Sequence, residues 1–112
     1  MADATQSIGV LQFALNAVVS QQQTIANNIA NQDTPGYQAN QVTFQDSLAA
    51  ALQQGGSATM TLIPEGLPAG VNGNNVSIAA EMTLLQENNL ENKLVANALS
   101  AQFAILSAAL SA

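Results

Sequence analysis

Apolar residues recur every three or four positions near the start of the chain, which is the spacing of one buried face of an α-helix. The polar Gln22 occupies one position of this face. The pattern predicts an N-terminal helix over residues 6–31 with a heptad-like packing surface. The apolar positions of that surface are Ile8, Leu11, Leu15, Val18, Ile25 and Ile29.

The same spacing near the other end predicts a second long helix over residues 77–111. Ser77 is a suitable N-cap, and Glu81 falls in the first turn, where a negative charge suits the helix dipole. Asn89 and Asn92 interrupt the apolar face, which otherwise passes through Ala96. Its larger apolar positions are Ile78, Met82, Leu85, Leu99, Phe103, Leu106 and Leu110.

The polar residues on these two faces have two interpretations. A polar side chain at a packing position restricts which register can pair, so Gln22, Asn89 and Asn92 could align the helices with each other or with neighbouring subunits. The alternative is that the buried face of the second helix rotates. An alternative apolar stripe is available for this at Leu84, Leu90, Leu94 and Val95.

A helix stop and a tight turn follow the first helix. Asn31 lies where asparagine commonly adopts the left-handed conformation that ends helices. The sequence Thr34-Pro35-Gly36-Tyr37 has the chemistry of a type II turn, in which proline fixes φ and glycine supplies a positive φ.

The middle segment, residues 32–76, is predicted to be short and irregular. Alternation at Val42 and Phe44 indicates an extended stretch, and Asp46 or Ser47 could cap a brief helix through Leu52. Gly55–Gly56 predicts a break, residues 59–63 a short strand, and the glycines and prolines after it a loop. With 112 residues in all, we expect one domain with no separate core in its middle.

Charge excludes several classes of partner. Lys93 is the single basic residue, and the net charge is −6. Nucleic-acid binding needs clustered Lys or Arg, so we expect no nucleic-acid partner. The polar surface consists instead of 25 Asn and Gln residues, whose contacts depend little on ionic strength.

The chain has few residues of the types that carry out catalysis. The chain has no His, Cys, Arg or Trp, so few groups could titrate near neutral pH or activate a nucleophile. Glu87 and Glu91, four residues apart, could in principle bind a hard cation, but two like charges on a solvated helix face are more common. We expect no enzyme activity, no metal, no cofactor and no small-molecule substrate.

Two sequence features bear on location. The segment before the first apolar stretch carries no basic residue, so we expect no cleaved secretory signal. Residues 94–112 carry no charge and have nearly the length of a membrane span. Asn97, Ser100 and Gln102 interrupt this stretch, however, which favours a packed helix.

The stretch from Ala26 to Tyr37, reading ANNIANQDTPGY, resembles the N-terminal signature of the bacterial flagellar axial proteins, which include rod and hook proteins. The block Gly73-Asn74-Asn75-Val76, followed by Glu81-Met82 and a long helix, resembles their C-terminal block. Within that family the chain is most similar to the proximal rod proteins. Where the family often has Lys or Arg after the turn, this chain has Gln38.

The resemblance implies a mainly α protein whose two end helices pair as an antiparallel coiled coil around a short middle segment that contains some β structure. It implies a structural subunit of the basal-body rod in the periplasm, exported by the flagellar type III apparatus. The implied partners are copies of the chain, other rod or axial proteins and the adaptor between rod and basal ring. The residues that would shape the assembly corner are Asn27, Asn28, Asn31, Thr34, Pro35, Gly36 and Tyr37.

A second hypothesis is a helical-hairpin adaptor or secretion chaperone that binds one client helix, because apolar helix faces alone do not distinguish it from a rod subunit. A defined dimer or one-to-one complex would favour it.

Overall fold

Two long helices, one from each end of the chain, make up most of the molecule. The computed structural model describes residues 2–54 and 57–111. The molecule is elongated, with extents of 64 × 24 × 15 Å, and the predicted glycine break at Gly55–Gly56 lies outside the described residues. In chain order the elements are α1 (Ala2–Ala30), β1 (Asn40–Thr43), α2 (Gln45–Gln54), β2 (Thr61–Pro64) and α3 (Ile78–Ser111).

Helices α1 and α3 run antiparallel. The side chain of Asn28, near the end of α1, bonds to Glu81 in the first turn of α3, and Asn88, two turns later, bonds to the backbone of Val18. Earlier residues of α1 therefore lie beside later residues of α3. The mainly α architecture with paired end helices, predicted from the sequence, is confirmed.

The inner face of α1 matches the apolar pattern read from the sequence. Ile8, Val18 and Ile25 are buried, and the positions between them on the same face, Leu11, Leu15 and Ile29, are half-buried. Gln22 is exposed, so it does not contribute to the contact between the helices.

The inner face of α3 differs from the face predicted by the apolar spacing. At alternate positions of that spacing, the residue that faces inward is the one before the predicted residue. Four residues spaced seven apart are buried or half-buried, while the residue after each of them is exposed. Leu85, Asn92, Leu99 and Leu106 complete the face and are half-buried. The inner set is Glu81, Asn88, Val95 and Gln102, and the exposed set is Met82, Asn89, Ala96 and Phe103.

The rotated face explains why the periodicity of α3 was misleading. Three of the four inner residues are polar, so an apolar count assigns them to the surface. Of the two neighbouring asparagines, Asn88 bonds to α1 and Asn89 is exposed. Of the alternative stripe, Leu84 and Val95 are half-buried, whereas Leu90 and Leu94 are exposed.

The middle segment forms a small antiparallel hairpin and a short helix against α1. β1 pairs with β2, with Asn40 opposite Pro64 and Thr43 opposite Thr61, so the second strand begins two residues later than predicted. A small core joins this segment to α1, and its two aromatic rings meet edge to face at 6.4 Å. The core consists of Ala17, Val18, Val42 and Phe44, with Phe13 and Leu48 packed against it.

Much of the apolar surface of α3 has no partner within the chain. Ile78, Met82, Phe103 and Leu110 are between 38% and 69% exposed. By length and composition α3 could cross a membrane, and no residue of its most apolar window is buried. We use the name outer apolar face for the exposed large apolar side chains of this helix, which lie on two different sides of it and not in one stripe: Ile78, Met82, Leu90, Leu94, Phe103, Ile105 and Leu110.

Candidate functional site

The end of α1 and the turn after it form the first half of a corner in the chain. Asn31 ends the helix without a left-handed backbone, since no residue other than glycine has positive φ in the described chain; the expectation for Asn31 was wrong. Its Nδ2 instead donates to the carbonyl of Asn27 at 2.8 Å, and its Oδ1 accepts from the Thr34 hydroxyl at 3.0 Å. Side-chain hydrogen bonds thus cap the end of the helix in place of a left-handed residue.

The Pro-Gly turn has the predicted geometry. The Tyr37 N–H donates to the Thr34 carbonyl at 3.2 Å, and Gly36 has a φ of +75°. A hydrogen bond from the fourth residue to the first, with glycine at positive φ in the third position, is the arrangement of a type II turn.

The loop before α3 forms the second half of the corner and packs on the turn. The Gly36 N–H donates to the Asn72 carbonyl at 2.9 Å, and the Asn75 N–H donates to the Tyr37 carbonyl at 3.2 Å. Gly73 has a φ of +81°, and a Cβ there would lie 3.3 Å from the Gly36 Cα. We call residues 27–40 together with residues 72–81 the corner.

Amide side chains tie the two halves together. Asn74 Nδ2 donates to two carbonyls of the turn, those of Asn31 at 2.8 Å and Thr34 at 2.7 Å. Asn75 Oδ1 accepts from the Ala39 N–H at 2.6 Å, while its Nδ2 donates to Leu67. Both asparagines are buried, where a hydrogen bond to a neutral amide avoids the desolvation penalty of a charge.

Asn28 is the centre of the corner and is completely buried. Its Oδ1 accepts from the Asn40 N–H at 3.1 Å and the Tyr37 hydroxyl at 3.3 Å. Its Nδ2 lies within bonding distance of the Asn40 carbonyl at 2.8 Å, Glu81 Oε2 at 3.2 Å and Glu65 Oε1 at 3.4 Å. One side chain therefore connects α1, the hairpin and α3.

Two carboxyl groups meet beneath this asparagine. Glu81 is fully buried, and its Oε1 has no hydrogen-bond partner in the described chain. Burial, a hydrogen bond to Glu81 and the charge of Glu81 raise the pKa of Glu65 to about 7. The expected favourable position of Glu81 at the start of the helix thus coincides with a buried carboxyl group that has a second, half-buried carboxyl group beside it.

The residues predicted to shape the corner are unequally involved. Asn28, Asn31, Thr34, Gly36 and Tyr37 make the contacts described above. Asn27 and Pro35 are exposed; the first contributes its carbonyl, and the second occupies the turn. Gln38, directly after the turn, donates through Nε2 to the Gly73 carbonyl at 2.6 Å.

Sequence reasoning missed Glu65 and Asn88. Glu65 lies in a stretch rich in Pro and Gly that carries no periodic signal, and Asn88 differs from its polar neighbour Asn89 only by a rotation of the helix. No apolar pattern would identify either residue. Among the described residues, no three His, Cys, Asp or Glu side chains lie close enough to hold a metal ion.

Comparison with known proteins relates the chain to flagellar components. A model of the family described as flagella basal body rod protein matches residues 8–38. The flagellar basal body rod protein FlgB of Escherichia coli K12 is 32% identical, over 81% of this chain and 83% of the relative. FlgB of Bacillus subtilis strain 168 is 30% identical, over 83% of this chain and 84% of the relative. FlgB of Yersinia enterocolitica is 42% identical over a shorter stretch, 42% of this chain and 36% of the relative.

Proposed function

The chain belongs to the FlgB family of flagellar basal body rod proteins, and we propose that it builds the proximal rod by packing the outer apolar face of α3 against neighbouring axial subunits. As a member of this family it is a structural subunit of the flagellar basal body, not an enzyme, and it assembles with other rod or axial proteins.

The observation that carries the proposal is the exposure of large apolar side chains along α3. Leu90 and Leu94 are 59% and 61% exposed, and Ile105 and Leu110 are 59% and 69% exposed. Single exposed apolar residues are ordinary, but several of them on two sides of a helix of 34 residues indicate surfaces that neighbours cover. Subunits that pack around the helix in a tube would cover these side chains.

The paired helices suit a mechanical role. α3 spans roughly 50 Å at 1.5 Å per residue, and α1 lies antiparallel beside it, joined to it by the side chains of Asn28 and Asn88. Close-packed side chains resist bending and sliding better than loops do. We infer that the helix pair transmits torque along the rod.

The corner has a positioning role in this proposal. Its amide bonds fix the direction in which the chain leaves α1 and re-enters α3, so that the hairpin projects at a set angle for a neighbour to contact. The corner residues Asn27, Asn28, Asn31, Thr34, Pro35, Gly36 and Tyr37 are proposed to act in this way, and the apolar residues of α1 and α3 as packing residues. We treat residues 1–112 as one rod-type domain for the same reason.

The remaining elements of the proposal come from the resemblance to axial proteins. We propose contact with the adaptor between rod and basal ring, and export through the flagellar type III apparatus without a cleaved signal. Secretion of the chain should then stop in cells that lack the export apparatus, and mass spectrometry of the exported chain should show an uncleaved N-terminal segment.

Deletion of residues 99–112 tests the assembly role directly. The truncated chain should still be exported but should be missing from purified basal bodies, and the cells should be non-motile. A truncation that leaves motility intact would overturn the proposal. A defined one-to-one complex with a single client, and no association with basal bodies, would instead support the adaptor hypothesis.

A further inference from the structure

A cavity of about 150 Å³ lies between α1, β1 and α3 and has carboxylates in its wall. Glu65 contributes from the end of the hairpin, and Glu87 and Glu91 contribute from successive turns of α3. Gln21 and Thr24 of α1 form much of the opposite wall. We call this space the acidic cavity.

One buried hydrogen-bond acceptor in the wall of the cavity lacks a partner. Asn88 lines the cavity and is 2% exposed. Its Nδ2 donates to the Val18 carbonyl at 2.7 Å and to Gln21 Oε1 at 3.3 Å, but its Oδ1 has no partner in the described chain. This oxygen and the carboxylates of the wall therefore favour a ligand that donates hydrogen bonds.

The carboxylates of the wall favour a donor that carries a positive charge. Burial and the neighbouring Glu87 raise the pKa of Glu91, and burial and Glu81 raise the pKa of Glu65. Both shifts have the direction expected for partly buried carboxyl groups that lie near one another without a cation. The single base of the chain, Lys93, is exposed on α3 and does not line the cavity.

The arrangement of acceptors favours an organic cation over a metal ion. The carboxylates are spread around the wall, and the described side chains offer no metal-binding cluster. A guanidinium group presents five N–H donors in a plane and carries a permanent charge, so it can serve several separated acceptors at once. Its size suits a cavity of this volume.

We propose that the acidic cavity receives an arginine side chain from a neighbouring axial subunit that is not a copy of this chain. The chain itself contains no arginine, so a copy could offer only Lys93 or its amino terminus. Copies also share a net charge of −6 and repel one another. A basic neighbour reverses this repulsion at the interface. This inference rests on the proposed rod function and names the chemistry of one contact within it.

Titration of the full-length chain with ethylguanidinium chloride, followed by NMR, tests the site apart from assembly. The side-chain amide of Asn88 and the backbone amides of Glu87 and Glu91 should shift and saturate at millimolar concentrations. The double variant Glu87→Gln/Glu91→Gln should bind at least tenfold more weakly, while Asp33→Asn, which changes an exposed acid of the turn, should bind as the parent chain does. Ethylammonium should bind more weakly than ethylguanidinium.

The proposal is overturned if the shifts do not saturate, or if the double variant responds like the parent chain although its remaining spectrum shows an intact fold. A second arm uses cells. Glu87→Gln/Glu91→Gln should lower the amount of the chain in purified basal bodies several-fold, and Lys93→Gln should not.

An equal loss for Lys93→Gln would mean that a copy of the chain supplies the cation, which would overturn the proposal. The two ideas fail in different ways. Absence of the parent chain from basal bodies would contradict the rod function, whereas its presence together with an unimpaired double variant would contradict the cavity contact alone.

Discussion

The side-chain amide of Asn28 donates to the buried carboxylate of Glu81 at 3.2 Å, joining residues 53 positions apart in the sequence. This bond connects the end of α1 with the start of α3. The same amide also contacts the backbone of β1 and the carboxylate of Glu65. One uncharged side chain therefore links the two long helices at this end of the molecule.

Replacement of Asn28 by alanine should destabilise the protein strongly. The substitution leaves the buried Glu81 carboxylate and the Asn40 N–H without their partner, which we expect to lower the free energy of unfolding by about 3 kcal/mol. Urea unfolding followed by circular dichroism measures this change. The neighbouring Asn27 is exposed and provides the control, because Asn27→Ala should change stability by less than about 0.5 kcal/mol. Equal effects of the two substitutions would contradict the central role of Asn28.

Stability should fall as the pH rises toward neutrality. The pKa of Glu65 is raised to about 7 in the folded chain, from an ordinary value of 4.5, so the folded state binds more protons than the unfolded state between these values. The contribution of Glu65 is thus fully present below pH 4.5 and is lost as the pH passes through 7. Facing Glu65 are Glu81, the amide of Asn28 and the carboxylates of the acidic cavity, with no cation among them.

Glu65→Gln should remove most of this pH dependence. Glutamine carries no charge at any pH and so avoids the repulsion by Glu81. At pH 8 the free energy of unfolding of the variant should therefore exceed that of the parent chain by about 1 kcal/mol, after allowance for solvent screening at the partly exposed Glu65. Urea unfolding at pH 5 and pH 8 provides the comparison. Asp33→Asn should retain the slope of the parent chain, and an unchanged slope in Glu65→Gln would refute the assignment.

Alanine substitutions at three glycines should change the stability of the protein to different extents, in a defined order. Gly9 lies within α1 in open space, so Gly9→Ala should stabilise the chain by about 0.5–1 kcal/mol. Gly36→Ala meets no atom but must hold a positive φ, and should destabilise by roughly 1–2 kcal/mol. Gly73→Ala combines positive φ with a 3.3 Å approach to the Gly36 backbone and should be the most damaging. Thermal unfolding of the three variants checks this order.

Polar substitutions on the outer apolar face should separate assembly from folding. Leu94→Gln and Phe103→Gln remove side chains that are 61% and 47% exposed, so the stability of the isolated chain should change by less than about 0.5 kcal/mol. Their incorporation into basal bodies should drop sharply. Ser100→Ala, at an exposed polar position of the same helix, should incorporate normally. Normal incorporation of the two apolar variants would remove the outer face from the assembly interface.

The sequence predicted most reliably the features that depend on residues close together in the chain. The 3-4 spacing of Ile and Leu identified α1 and its buried face because a helix repeats its geometry along the chain. Ser77 caps α3 as expected, its Oγ accepting from the Ala80 N–H at 3.2 Å. The Thr34–Tyr37 turn followed from the fixed φ of proline and the freedom of glycine. Each of these depends on residues a few positions apart.

Tertiary structure decided which face of α3 turns inward and what the corner is made of. The three-and-four spacing predicted that Met82 and Asn89 face inward, but the fold buries Glu81 and Asn88. A buried polar side chain is stabilised by hydrogen-bond partners that come from elsewhere in the chain. Those partners are a carbonyl on α1 and an amide at its end, 70 and 53 residues away. The sequence alone determined helices, turn and family; the pairing of distant amides and carboxylates required the assembled molecule, since no local pattern encodes the partner of a buried polar atom.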